Sequence, residues 1–284
     1  MARTLEFNSP DLGFLDSLKR LETRFCLVGR GSLGESFANL VHQAELGSIT
    51  EDFDPDTWEP RNQSNTIGLH PNAFGQNKAI NHAHKLENPD QISGHCNVIV
   101  LATDNLKSRS DVFHWWNSDG LNQDSMLIDM RSSAGLVRVI THSMAHEIGD
   151  QDREKWEAYL KLRDWLYPLG NDLIEAEMEN QEGSCNMRGS MMHTTTAVSI
   201  ALQHLFRWHQ GMLPHFIMQD QAPYTGSSFI TSFGDCKGMK EDGLKDYSST
   251  YSQAREDELG HSLPFRFRTI HEAKTMLEAA EDLL

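Results

Sequence analysis

The stretch Arg24-Phe25-Cys26-Leu27-Val28 runs straight into Gly29-Arg30-Gly31-Ser32-Leu33-Gly34, and Phe37, Leu40, Val41 and Ala44 then recur at helical spacing. Strand, glycine turn and helix in immediate succession constrain the fold more than any other feature of the chain. Such a turn uses one glycine for the bend, one for close approach of a phosphate and one for helix packing, and the amides at the start of the helix attract anions. Asp54 lies 25 residues beyond Gly29, about the distance at which an acidic residue meets a ribose. The alternative is a merely tight strand-to-helix connection.

The alternation continues. Ser48-Ile49-Thr50 reads as a second strand running into Glu51-Asp52-Phe53-Asp54, with a polar loop over 55–75 after it. Lys78 to Leu86 predicts a short helix closed by Asn88-Pro89. Asn97-Val98-Ile99-Val100-Leu101 is a continuous apolar run of the kind buried in a parallel sheet. A helix carrying Val112, Phe113 and Trp116 comes next, then strands over Met126 to Met130 and Leu136 to Ile140. These elements predict an α/β fold, a Rossmann-like, mainly parallel sheet flanked by helices.

From about 151 the pattern becomes more helical. Trp156, Tyr159, Leu160, Leu162 and Leu166 mark one helix, 172–182 a second, Met192 to Trp208 a long apolar one, and 270–284 a last. Leu15, Leu18 and Leu21 suggest a short helix ahead of the first strand, and 222–262, rich in Ser, Gly, Asp and Lys, reads as exposed loops. A chain of 284 residues fits one elaborated domain, with a nucleotide-binding core over 24–145 and a helical crossover and substrate-side region over 151–284.

Charge and cysteine usage exclude other classes. Acidic residues outnumber basic ones 41 to 25, a net charge of −16, and the basic residues do not cluster, which argues against a nucleic-acid binder. No apolar run approaches the roughly 20 residues that span a bilayer. The N-terminal residues lack an export pattern, so the cytoplasm is the expected location. Cys26, Cys96, Cys185 and Cys236 form no C-x-x-C pair, and His82/His84 and His204/His209 make no i, i+4 ligand face, so no zinc site is expected.

The glycine turn opens both nicotinamide dehydrogenases and adenylating enzymes. Downstream of it stand, in order, Asp52-Phe53-Asp54, Asn62, Gly75-Gln76-Asn77-Lys78-Ala79, Asn88-Pro89, and the apolar strand into Ala102-Thr103-Asp104-Asn105-Leu106-Lys107-Ser108-Arg109. In that order the chain resembles the ThiF/MoeB/HesA family of ubiquitin-activating-enzyme-like adenylating enzymes, over roughly residues 24–140. The resemblance implies ATP and Mg2+, with Asp54 on the ribose, Asn62 near the phosphates, Lys78 on the α-phosphate and Asp104 on the metal. It extends the nucleotide site to Gly29, Gly31, Ser32, Leu33, Gly34, Asp52, Asn65, Thr103, Asn105 and Arg109. Attack of a carboxylate on an α-phosphorus builds charge on phosphate oxygens, which a lysine, a carboxylate-held metal and helix-terminal amides stabilise.

The chain also departs from that pattern. Asn65 stands where the family has a phosphate-binding arginine, with Arg61 the nearest replacement. Lys78 and Asp104 are 26 residues apart, short of the extra strand the family places there, so a trimmed sheet is expected. Cys185, in a glycine-containing loop before the long apolar helix, is the cysteine placed for a thioester or acyl-transfer role, and Arg3 is the candidate for an arginine given to a partner subunit. The resemblance thus implies an adenylyltransferase, a homodimer, that activates the C-terminus of a ubiquitin-like carrier protein or a peptide. A scaffold or heterodimer partner of the same fold, and then an NAD-dependent oxidoreductase, are the alternatives.

Overall fold

The computed structural model describes residues 23–93, 95–120, 125–132, 136–143, 153–170, 172, 191–209, 213–223 and 226–233. β1 (Arg24–Val28), α1 (Ser32–Gln43) and β2 (Ser48–Phe53) form the opening unit. Next come β3 (Val98–Leu101), α2 (Leu106–Trp115), β4 (Met126–Ser132) and β5 (Val137–Ser143). The second half contributes α3 (Arg153–Leu166), α4 (Met191–His209), β6 (Phe216–Ala222) and β7 (Ser227–Phe233).

Among the described residues seven strands make one sheet in the order β2-β1-β3-β4-β5-β6-β7. β2, β1, β3 and β4 are parallel, and β5, β6 and β7 extend them as an antiparallel wing. This is the expected α/β sheet flanked by helices. Strand side chains alternate between faces, so β1 sends Phe25 and Leu27 to one core and Cys26 and Val28 to the other. Phe37 and Val41 of α1, with Val198, Ala201 and Leu205 of α4, cover the first face. Val112 and Phe113 of α2, with Tyr159, Leu162 and Leu166 of α3, cover the second.

Two expectations are corrected. Residues 78–86 form no helix, because the amides of Ile80 and Asn81 are taken by the Asp52 carboxylate (2.9 and 2.7 Å) and that of His82 by the Asp52 carbonyl (3.1 Å). The segment lies beside β2 instead, with a single parallel bridge from His82 to Phe53. The second correction concerns 222–262: its first part is strand, with β7 paired along β6 from Ala222↔Ser227 to Phe216↔Phe233. Arg138 of β5 anchors this wing by reaching Asp220, its register partner on β6, through a buried two-point ion pair (2.6 and 2.9 Å). Arg3, the helix expected over Leu15 to Leu21, residues 173–182, Cys185, most of 222–262 and the helix at 270–284 lie outside the described residues.

His204 and His142 are packed into the cores as neutral rings. Burial pushes the pKa of His204 down to about 3 while Thr141 Oγ1 meets its Nδ1 at 2.9 Å, and burial likewise holds His142 well below the ordinary range. An unfolded chain protonates these rings near pH 6.5, whereas the folded chain refuses the proton, so folding stability is lost as pH falls below that value. His204 alone should lower stability by about 2 kcal/mol between pH 7 and pH 5. Urea unfolding at the two pH values measures this, and His204→Gln should flatten the dependence.

Candidate active site

A cavity of about 530 Å³ opens at the carboxyl ends of β1, β2, β3 and β4. Its floor is the glycine turn. Gly29 has φ +94, and a Cβ there would lie 2.6 Å from the Thr103 amide nitrogen, so the turn and the end of β3 touch backbone to backbone. Gly34 is equally confined, since a Cβ would sit 2.0 Å from the Gly29 carbonyl oxygen. Gly31, on the cavity wall, meets nothing within 4 Å of the position its Cβ would take. Gly29 and Gly34 thus stand where a side chain would clash with backbone, and Gly31 faces open space.

Gly34→Ala should force the turn open, destabilise the fold by roughly 1–3 kcal/mol and distort the cavity floor. Thermal melting with a parallel nucleotide titration would show both effects.

The helix behind the turn, α1, begins at Gly31 without a side-chain cap among the described residues. Its first intrahelical bond runs from the Glu35 amide to the Gly31 carbonyl (3.0 Å). The amides of Ser32, Leu33 and Gly34 precede that bond, and Ser32 and Leu33 line the cavity at the positive end of the helix dipole.

Around this floor stand charged side chains. Asp54, at the end of β2, is 7% exposed and accepts the Arg30 amide (2.7 Å) on one oxygen and the Asp56 amide (2.9 Å) on the other. Burial raises its carboxyl pKa above the usual range, and the amides and nearby Lys78 work against that rise. Lys78 also lines the cavity; its ammonium pairs with Asp56 at 2.8 Å and lies 5.7 Å from the centre of the Trp58 ring. Thr103 and Asn105 shape the opposite rim. The Thr103 hydroxyl accepts the Asn105 amide (3.2 Å), and the Asn105 side chain caps α2 through the Ser108 amide (2.7 Å). Asp104, between them, is exposed on the cavity wall, and among the described residues no hydrogen bond or ion pair engages its carboxylate.

Other expected site residues are placed differently. Asp52 is fully buried outside the cavity wall, where it accepts Arg30 at 2.6 Å as well as the Ile80 and Asn81 amides. Burial opposes its ionisation, but those three donors outweigh it and hold the carboxyl below the usual range. Asp52 thus fixes the segment that carries Lys78. Asn62, Arg61 and Asn65 lie on a 3-10 turn, Pro60–Asn65, that is not brought to the cavity. Asn62 caps the turn by accepting the Glu59 amide (2.9 Å), Arg61 pairs with Glu59 in solvent, and the Asn65 carbonyl accepts the Thr194 hydroxyl of α4 (2.9 Å). Arg61 is thus paired with Glu59 and stands outside the cavity lining.

Arg109 does reach the cavity wall, but as a strut. Its guanidinium joins the Thr103 and Met130 carbonyls to the Asp129 carboxylate, tying β3 to β4. Asp56, Lys85 and Arg131 also line the cavity, although no sequence motif pointed to them. Asp129 and Arg131 stand two residues apart in the strand Met126–Ser132, whose other residues up to Ser132 are apolar, and two charges in a buried strand were the signal available.

For ATP the fit is direct: an open glycine cradle, unused helix amides and a lysine. For Mg2+, which keeps several waters and takes few protein carboxylates beside substrate phosphates, an uncommitted Asp104 suits the ion. Among the described residues, no three His, Cys, Asp or Glu side chains group as a self-sufficient metal site, and no helix is long and apolar enough to cross a membrane.

No family model and no curated protein matches the chain. Solved structures do. Selenomethionine PaaA aligns over 79% of this chain and 77% of its own, with a TM-score of 0.56 and 13% identity. E. coli MccB with ATP aligns over 81% and 68%, with a TM-score of 0.55 and 9% identity. The same protein with AMPCPP and MccA gives 82%, 69%, 0.56 and 9%. At such identities the likeness establishes the fold: this chain has the Rossmann-like architecture of MccB and PaaA.

Proposed function

We propose that this protein is an ATP-dependent adenylyltransferase, converting a carboxylate and ATP into an acyl adenylate and pyrophosphate. The observation that carries this reading is the convergence in one cavity of three groups of complementary kind: the α1 amides behind an open Gly31, the Lys78 ammonium and the uncommitted Asp104 carboxylate. The MccB neighbour, described as the microcin C7 biosynthetic enzyme, has been solved with ATP and with MccA, which supports a nucleotide and a macromolecular or peptide substrate meeting on this fold.

In this reading the Asp54 carboxylate receives the ribose hydroxyls, and its two amide bonds hold it in place before the nucleotide arrives. The Ser32 and Leu33 amides face the phosphates without needing to move. Lys78 exchanges Asp56 for an α-phosphate oxygen, so its charge is available where negative charge grows in the transition state. Asp104 holds Mg2+, which when bound neutralises phosphate oxygens. A net charge of −16 repels a polyanion at long range, so these local groups supply the attraction. The same acidity suits a basic substrate chain, either a ubiquitin-like carrier protein or a peptide.

Substrate-dependent exchange of labelled pyrophosphate into ATP tests the chemistry. Exchange is expected with one class of carboxylate partner, and its absence with all of them would contradict the reading. The scaffold alternative is favoured by one observation, the 3-10 turn with Asn62, Arg61 and Asn65 standing off the cavity, and it expects no ATP binding at all. Homodimerisation, part of the same proposal, is checked by sedimentation.

A further inference from the structure

A buried arginine stands at the β4 end of the cavity. Arg131 is 6% exposed, and its Nε and one Nη donate to a single Asp129 oxygen at 2.9 and 2.7 Å. The same Nη reaches the Leu166 carbonyl (3.2 Å), and the guanidinium lies 5.4 Å from the centre of the Tyr167 ring. Arg109 occupies the other Asp129 oxygen, so one carboxylate serves two arginines. The neighbouring Asp220 pairs directly with Arg138, and its charge also favours the Arg131 cation. Arg131 lines the cavity, and its second Nη lies outside the bonds to Asp129 and Leu166.

The order of groups along the sheet says which anion. Asp54 stands at the end of β2, the glycine turn at β1, Asp104 at β3 and Arg131 at β4, in neighbouring strands. Strands are spaced about 4.8 Å apart, so β2 to β4 spans about 14 Å, the reach of an extended nucleoside triphosphate. A nucleotide with its ribose at Asp54 and its α-phosphate over the α1 amides would lay its remaining phosphates towards β4. We infer that Arg131 is the anchor for the terminal phosphates of the bound nucleotide, the pyrophosphate leaving group, in place of the arginine absent at Asn65. The inference rests on the adenylyltransferase reading above. A guanidinium held rigid by Asp129 and Tyr167 presents its remaining Nη, with two N–H donors, to phosphate oxygens at little entropic cost.

Affinities of the whole protein for AMP, ATP and inorganic pyrophosphate separate this role from a structural one. Arg131→Gln leaves Asp129 paired with Arg109. It should weaken ATP and pyrophosphate by about ten- to hundredfold while AMP stays within about twofold. Arg131→Lys, which keeps the charge but not the anchored geometry, should fall between. Equal losses for AMP and ATP, or an unchanged ATP affinity, would overturn the assignment and leave the nucleotide reading standing. A wild-type protein that binds none of the three probes would remove that reading and this inference together.

Discussion

Lys78→Ala should reduce ATP–pyrophosphate exchange by about 10²–10³-fold with little effect on melting. The magnitude is that of deleting one preorganised donor to a developing oxyanion. In the resting structure the Lys78 ammonium is held by Asp56 at 2.8 Å with its side chain 10% exposed, so the cation is positioned without substrate. Its backbone amide is fixed too, by the Asp56 carbonyl at 2.9 Å, which means the alanine variant keeps the local chain path. Lys78→Arg should recover part of the rate, since charge is restored with altered reach. A Lys78→Ala protein that exchanges at the wild-type rate would remove this residue from the chemistry.

The second large effect concerns Asp52, which lines no cavity. Its carboxylate binds the Arg30 guanidinium and the Ile80 and Asn81 amides inside a fully buried site. Asp52→Ala leaves those donors unsatisfied and the Arg30 charge compensated by Glu35 alone, which should cost about 3–5 kcal/mol. In a chain of this size that lowers the melting midpoint by roughly 10 °C. Nucleotide affinity should fall with it, because the Lys78 segment loses its anchor. A midpoint within a degree or two of wild type would mean that Asp52 does not brace this region. The sign also sets a pH dependence: with a carboxyl held below its ordinary range, this stabilisation is present above about pH 4 and is lost as pH falls through the lower folded value.

Features that depend on neighbours along the chain were legible in the sequence. β1, the glycine turn and α1 declare themselves by apolar runs and helical spacing, and β3 ends shortly before Asp104, where an unbroken apolar stretch stops. Features that depend on partners far away were not. The path of residues 78–86 is decided by the Asp52 side chain, which diverts the amides that a helix there would use. β6 hides its nature because Asp220 interrupts the apolar pattern, and only Arg138 across the sheet makes that charge tolerable in a strand. The turn with Arg61, Asn62 and Asn65 keeps the expected motif order, yet bonds from the Ile67 amide to Ser36 (2.7 Å) and from Asn39 to the Ile67 carbonyl (2.8 Å) dock the next residues on α1. Arg131 would pass for an exposed strand-end charge without Asp129 and Tyr167 beside it.

Binding of ATP in the cavity above the glycine turn is the premise of every step proposed, and Gly31 offers a direct way to test it. A Cβ there meets no protein atom within 4 Å, and its backbone is extended with φ −67, so Gly31→Val should fold as the wild type does while filling the space a phosphate needs. Calorimetric titration of Mg2+-ATP is expected to show one saturable site per chain in the wild type and none in Gly31→Val, with equal melting midpoints. Absence of binding to the wild type, or undiminished binding to the valine variant, would contradict an ATP site at this turn.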